Sequence, residues 1–250
     1  MAGTAVLGRL TWKVCTVVGL RDETATARTI ALQVPEWPGH VAGQRVDLRV
    51  TAADGYSAVR EYSIASAPRA DGRVELSVER LPQGEVSPYL TQDLAIGDVL
   101  ELRGPIGGWF VWRESQAEAI QLIAGGSGIV PLMAMIRSRV AAASDAPFRL
   151  LYSVRSPDTV WYRDELRALS GAIGVTFVYT RTSPPDWPRP PRRIDATLLA
   201  EAGWSSTLSP TCYVCGPTSF VEHLGKLLID SGHHSERIRT ERFGPTGAQR

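Results

Sequence analysis

Arg60-Glu61-Tyr62-Ser63 places a guanidinium, a phenol and a hydroxyl within four positions. In an extended chain Arg60 and Tyr62 share a face. A guanidinium grips phosphate oxygens through forked hydrogen bonds, and a phenol two residues on can lie against another aromatic ring. The Ser63 hydroxyl both donates and accepts, which suits a ring nitrogen whose protonation changes in a reaction. An edge strand with an exposed arginine and a half-buried tyrosine accounts for the same residues without a ligand. In Gly84-Glu85-Val86-Ser87-Pro88-Tyr89-Leu90, a glycine-initiated turn precedes a short helix. Its N–H groups and the Ser87 hydroxyl could cradle a phosphate, or Ser87 could simply cap a helix with Pro88 in its first position. Gly125-Gly126-Ser127-Gly128-Ile129-Val130-Pro131 is a glycine turn between a strand and a helix, where a dinucleotide can approach the backbone. It is neither the G-x-G-x-x-G fingerprint, because Pro131 takes the final position, nor a P-loop, because no Gly-Lys-Ser/Thr follows.

Cys212-x-x-Cys215 has the spacing of a redox dithiol, but such pairs open a helix, and here Cys212 lies at the start of a strand. Zinc would need two more ligands, and neither Cys15 nor the four histidines supplies a matching local pair. Cys212 therefore reads as a buried strand residue and His233-His234 as a solvated helix end.

The elements that must position these groups fall into two textures. Leu10 to Val18, Ala27 to Val34, Arg45 to Val50, Glu61 to Ala65, Val74 to Glu79 and Val99 to Arg103 read as short strands. Turn pairs such as Pro38-Gly39, Asp54-Gly55, Asp71-Gly72 and Gly97-Asp98 separate them. This pattern predicts an antiparallel β-barrel, which removes exposed edges. From Ala119 onward strands alternate with helices: strands at Ala119 to Ala124, Phe148 to Val154, Val175 to Tyr179 and Thr211 to Val214, helices at Pro131 to Val140, Tyr162 to Leu169 and Ser219 to Ile229. That alternation predicts an α/β domain with a parallel sheet. Domains of 1–114 and 115–250 follow, divided in the polar stretch Arg113 to Glu118, with an irregular loop at Ser183 to Arg193, where five prolines fall.

A formal net charge of +1 argues against a broad nucleic-acid or anionic-membrane footprint. No apolar run is long enough to span a bilayer, and residues 1–6 do not read as a signal peptide, so the expected location is cytoplasmic. Three cysteines fit a reducing compartment and fall short of the four thiolates a plant-type iron–sulfur cluster needs, so no cluster is expected in this chain.

Arg60-x-Tyr62-Ser63, Gly84-x-Val86-Ser87, Gly126-x-Gly128-x-x-Pro131 and Cys215-Gly216-Pro217 resemble, in order and separation, the motifs of the ferredoxin–NADP reductase superfamily. The resemblance runs from Pro38-Gly39 to Glu241-Arg242-Phe243 and is nearest to bacterial reductases that serve oxygenases. It implies an FAD-binding barrel followed by an NAD(P)-binding α/β domain. By the same resemblance, Arg60 pairs with an FAD phosphate, Tyr62 lies against the flavin, and Ser63 hydrogen-bonds near its N5. Gly84, Val86 and Ser87 contact the pyrophosphate, while Gly126, Ser127 and Gly128 underlie the nicotinamide dinucleotide. Cys215 approaches nicotinamide C4, Gly216 and Pro217 shape that wall, Phe243 covers the other flavin face, and Glu241 has a nearby polar role. NADPH-using relatives carry a hydroxyl–arginine pair where Thr180-Arg181 stands. With Arg155 nearby, the added cation favours NADPH over NADH. The expected activity is an FAD-dependent NAD(P)H reductase serving a separate acceptor such as ferredoxin, flavodoxin or a metal-containing oxidoreductase. The alternatives are a free flavin reductase and a non-catalytic FAD-binding subunit of a larger redox complex.

Overall fold

The structure is a computed structural model that describes residues 10–52 and 54–244. Residues 1–6, read for a leader, and the tail beyond Gly244 lie outside the described residues. β1 (Trp12–Thr24), β2 (Ala27–Gln33), β3 (Arg45–Thr51), β4 (Ser57–Ser63), β5 (Arg73–Glu79) and β6 (Val99–Ile106) form one antiparallel sheet. Its order is β4-β3-β6-β1-β2-β5. The two outer strands meet again where Ile64 bridges Leu76 and the Ala65 N–H donates to the Glu75 carbonyl at 2.7 Å. The predicted barrel therefore closes through a narrow seam. The period-two pattern sets its inside: Cys15 and Val17 are buried while Val14, Thr16 and Val18 are exposed.

Several strands differ in extent from the sequence reading: β6 runs on to Ile106 and β10 to Pro217, and the first and fourth strands differ most. The fourth begins at Ser57 and not Glu61, because Ser57 pairs with Thr51 across a tight β3–β4 hairpin. The first runs on to Thr24, with two register shifts against β2 absorbing its extra length.

The second half folds as β7 (Ile120–Gly125), α1 (Ile129–Ala141), β8 (Phe148–Val154), α2 (Arg163–Ala168), β9 (Gly174–Tyr179), α3 (Ala196–Ala202), β10 (Thr211–Pro217), α4 (Thr218–Asp230) and β11 (Ile238–Phe243). The sheet is parallel, in the order β11-β10-β7-β8-β9. Every residue of β7 is buried, as expected of a central strand covered on both faces. α3 and β11 were not read from the sequence. α3 is short and starts where Asp195 accepts from the Leu198 N–H at 2.9 Å. β11, sequence IRTERF, carries three charges and no fully buried residue. The expected solvated helix end at His233-His234 is corrected for His233, which lies beyond α4 and is buried, its Nδ1 3.7 Å from Cys212 Sγ. No described helix is long and apolar enough to cross a membrane.

One apolar core crosses between the two halves, joining Ala42, Ala65, Phe110 and Trp112 to α1. Polar contacts run beside it. Arg137 of α1 binds the Ala65 carbonyl at 2.9 Å and Glu75 at 3.2 Å in the barrel, and Glu165 of α2 at 2.6 Å. Tyr162 donates its hydroxyl to Ser77 at 2.5 Å and its backbone N–H to Glu23 at 3.0 Å.

Candidate functional site

In the parallel sheet, β7 lies between β8 and β10, so the chain leaves it in one direction first and in the other later. Ligand crevices in such sheets open at this reversal, outside the carboxyl ends of the strands. The Gly126-Ser127-Gly128 turn follows β7, and Cys215-Gly216-Pro217 ends β10. The fold thus brings two of the four sequence motifs together at the carboxyl ends of neighbouring strands, where such crevices open. Gly126 has φ +55° and nothing within 4 Å of where a Cβ would stand, leaving its outer side open to a ligand. Gly128 answers to packing: a Cβ there would overlap the Cys215 carbonyl and lie 2.7 Å from Gly216 N.

On the barrel side of the same junction, Ser63 ends β4 and donates to Glu241 of β11 at 3.3 Å. Glu241 stands beside Cys215 in the β10–β11 register, and Phe243 beside Pro217. Ser63, Cys215 and Glu241, 178 positions apart at the extremes, therefore share one junction between barrel and parallel sheet. Phe243 packs against the core that crosses the junction. Cys215 is wholly buried, and burial first, then the neighbouring Glu241 carboxylate, holds its thiol well above the usual range. A ligand reaches Cys215 only after something moves aside.

Burial raises the Glu241 carboxyl to about 7, against the opposing pull of Arg45 and the Ser63 hydroxyl, with Glu61 adding to the rise. Sequence reasoning missed the Arg45–Glu61 pair, which is 3.2 Å apart. Its signal is the β3–β4 register, which sets Arg45 opposite Ser63 and becomes legible only once the hairpin is known. A carboxyl raised in the folded chain keeps its proton where the unfolded chain has lost it. Stability therefore falls as pH rises from about 4.5 to about 7, and the loss is complete above that. Glu241→Gln lacks this penalty. Its melting temperature relative to the parent is expected to be higher at pH 8 than at pH 4.5, and an offset equal at both pH values in thermal melts would mean an ordinary carboxyl.

Arg60 is exposed on β4, with its guanidinium 2.7 Å from the exposed Glu85 carboxylate. Burial pushes the Tyr62 phenol up to about 12, with Arg60 opposing, so the ring beside Arg60 stays neutral. The Gly84 turn leads into a five-residue π-helical turn, Tyr89–Asp93, capped at Pro88 with no side-chain cap. The helix-cap reading of Ser87 is thus corrected: its oxygen accepts from the Leu81 N–H at 3.0 Å and closes the 81–87 loop. Val86 and Ser87 are buried, and the N–H groups of residues 85–87 have no backbone acceptor among the described residues. Unpaired donors beside an exposed guanidinium are what a diphosphate requires, so the residues present fit that group.

Thr180, Arg181 and Arg155 gather at the carboxyl ends of β8 and β9, where the Arg181 N–H donates to the Arg155 carbonyl at 3.0 Å. Both arginines are exposed, whereas Arg189 and Arg192 in the following loop are paired with Glu201 and Asp195.

A barrel with a glycine-opened turn, joined to a parallel sheet with a glycine turn, is the architecture of two-domain flavin and nicotinamide-nucleotide oxidoreductases. Residues 19–111 match the oxidoreductase FAD-binding domain and residues 122–226 the oxidoreductase NAD-binding domain. The chain belongs to the ferredoxin reductase-like family of FAD-containing reductases. It is 29% identical over 218 residues to a flavohemoprotein of Bacillus cereus, covering 83% of this chain and 54% of that protein. It is also 26% identical over 241 residues to the ferredoxin–NAD(P)(+) reductase component of the naphthalene 1,2-dioxygenase/salicylate 5-hydroxylase systems of Ralstonia, covering 93% and 69%. Among solved structures, the cytochrome P450 reductase GcoB of Amycolatopsis superposes with a TM-score of 0.79 at 26% identity, covering 97% of this chain and 74% of that one. The chain spans about half the length of the flavohemoproteins it matches.

Proposed function

We propose that this chain is the reductase component of an oxygenase-type system, taking hydride from NADPH in preference to NADH and passing electrons to a separate acceptor. The observation that carries the reading is the junction of Ser63, Cys215 and Glu241 at the reversal point of the parallel sheet. The relatives named as reductase components or subunits of oxygenase systems support the class of acceptor. Ferredoxin, flavodoxin or a metal-containing oxidoreductase fits it, and any iron–sulfur step would lie on that partner. The FAD-binding part is assigned to residues 1–114 and the nucleotide-binding part to 115–250.

Bound FAD would supply hydride acceptance and the onward release of electrons. Arg60 and the N–H groups of residues 85–87 would hold its diphosphate, with Gly84 opening the turn and Val86 and Ser87 shaping it. The neutral Tyr62 ring would fix the plane of the isoalloxazine, and Phe243 would screen the opposite face. Ser63 would present its hydroxyl to the flavin N5 edge, with Glu241 behind it able to hold or yield a proton near neutral pH. Gly126, Ser127 and Gly128 would seat the dinucleotide. Cys215, Gly216 and Pro217 would wall the nicotinamide, and Thr180, Arg181 and Arg155 would meet the adenosine phosphate of NADPH. Those two arginines, exposed beside paired neighbours, are what favour NADPH.

The test is the visible spectrum of purified protein, before and after anaerobic NADPH and then NADH. Yellow protein bleached faster by NADPH supports the assignment; protein that cannot be reconstituted with FAD overturns it. Flavin lost on gel filtration yet reduced when added in excess would mark a free flavin reductase, and flavin held but never bleached a non-catalytic subunit. Cys215→Ala is expected to slow single-turnover flavin reduction about tenfold or more with FAD content unchanged, since the wall against the nicotinamide loses its sulfur. An unaltered rate would remove Cys215 from the site.

A further inference from the structure

A second aromatic residue stands just ahead of the strand that carries Arg60 and Tyr62. Tyr56 directly precedes β4 and is 57% exposed. Its ring is open to solvent at the edge of the same hairpin, next to the carboxylate that pairs with Arg60. Six positions of extended chain span about 20 Å, so ring, cation and ring follow one another along this stretch of the chain. The Tyr56 phenol lies beside the Glu85 carboxylate, and Glu85 lies 2.7 Å from Arg60. Glu85 stands inside the glycine-opened turn between Gly84 and Val86, a position at which a carboxylate opposes phosphate binding.

An extended flavin dinucleotide has the same order: isoalloxazine, diphosphate, adenine. With Tyr62 and Arg60 taken by the first two, Tyr56 falls to the third. The carboxylate then has a partner as well. Past the diphosphate comes a ribose, whose vicinal hydroxyls donate to a carboxylate in the way acidic residues hold ribose in other nucleotide sites. A flavin mononucleotide offers neither ring nor ribose there. Its terminal phosphomonoester carries nearly two negative charges at neutral pH and would meet Glu85 head-on.

We propose, on the basis of the FAD reading above, that Tyr56 and Glu85 form the adenosine end of the flavin site and select FAD over FMN. Tyr56 is a stacking platform for the adenine. Glu85 is held by Arg60, beside Tyr56, until the ribose takes over, and it excludes a shorter flavin by charge.

The experiment is titration of FAD and FMN, followed by flavin fluorescence, into flavin-stripped protein and its Tyr56→Ala, Tyr56→Phe, Glu85→Gln and Arg60→Ala variants. Tyr56→Ala is expected to raise the FAD dissociation constant about tenfold and leave FMN unchanged, because base stacking is lost. Tyr56→Phe keeps the ring and should bind FAD within about twofold of the parent. Glu85→Gln should tighten FMN by threefold or more, narrowing the preference. Tyr56→Ala with unchanged FAD affinity, or a Tyr56→Phe that behaves like Tyr56→Ala, overturns the platform. Glu85→Gln without effect on FMN overturns the charge filter. Arg60→Ala separates the diphosphate site from the adenosine end: loss of both flavins upholds the diphosphate site, whereas folded parent protein that binds neither flavin overturns that site and the adenosine end with it.

Discussion

Arg137→Ala is expected to lower the melting temperature by roughly 6–12 °C, the largest stability loss expected of any single substitution along the seam between the two halves. The guanidinium is 14% exposed and links the Ala65 carbonyl and Glu75 of the barrel to Glu165 of α2. Its removal leaves Glu75, itself mostly buried, without its cation, and it strips a cationic neighbour from the face of the Tyr162 ring. Breaking one partner out of such a pair costs about 3 kcal/mol or more when the remaining charge stays buried. For a chain of this size each kilocalorie corresponds to about 2–4 °C. Differential scanning calorimetry decides it, and a shift under 2 °C would show that water readily takes the place of the guanidinium. The double variant with Glu75→Gln should recover part of the loss, because no orphaned carboxylate then remains on the barrel side.

The second large effect is catalytic. Gly128→Ala is expected to slow flavin reduction by the nicotinamide about 10²-fold while FAD binding is retained. The glycine turn rests directly on the carbonyl of Cys215, with no room for a methyl group. Because the obstructing atoms are backbone of β10, a strand buried from Thr211 to Gly216, the turn itself must give way by about an ångström. A displacement of that size at a reacting centre costs on the order of 10²-fold in rate. Arg60 and the turn at residues 84–88 lie in the barrel and should be untouched. Stopped-flow bleaching at saturating NADPH measures the effect. A rate within threefold of the parent would mean that Gly128 is not a spacer between dinucleotide and strand.

These two positions differ in how far the amino-acid sequence alone makes them legible. Gly128 stands in a strand–glycine–helix segment, and its setting between β7 and α1 follows from local texture alone. Arg137 carries no such signal, because its partners Ala65 and Glu75 lie 72 and 62 positions away and ion pairing between domains leaves no periodicity behind. The six barrel strands are readable because short runs rich in Val, Leu and Thr are bounded by turn signals, with clear inward–outward alternation in β1 and β6. The β11 strand is not, since Arg239, Glu241 and Arg242 interrupt any apolar pattern at a sheet edge. Glu241 is reached only through resemblance, and its contact with Ser63 depends on β11 pairing in parallel with β10. The Ser87 hydroxyl is misread for a related reason: the 81–87 loop that it closes has no sequence period to announce it.

The double tether at Tyr162 bears on how such a protein can be recombined. Its hydroxyl reaches Ser77 and its backbone N–H reaches Glu23, so two barrel strands recognise one residue of the other half. A chimera joined within residues 113–118 would cut a stretch that looks dispensable. It would nonetheless bring together a barrel and a nucleotide domain whose seam residues had never been matched. Functional hybrids should therefore appear chiefly where Glu23, Ser77, Glu75, Arg137 and Tyr162 are transplanted as a set, which makes the seam, rather than the linker, the unit of exchange.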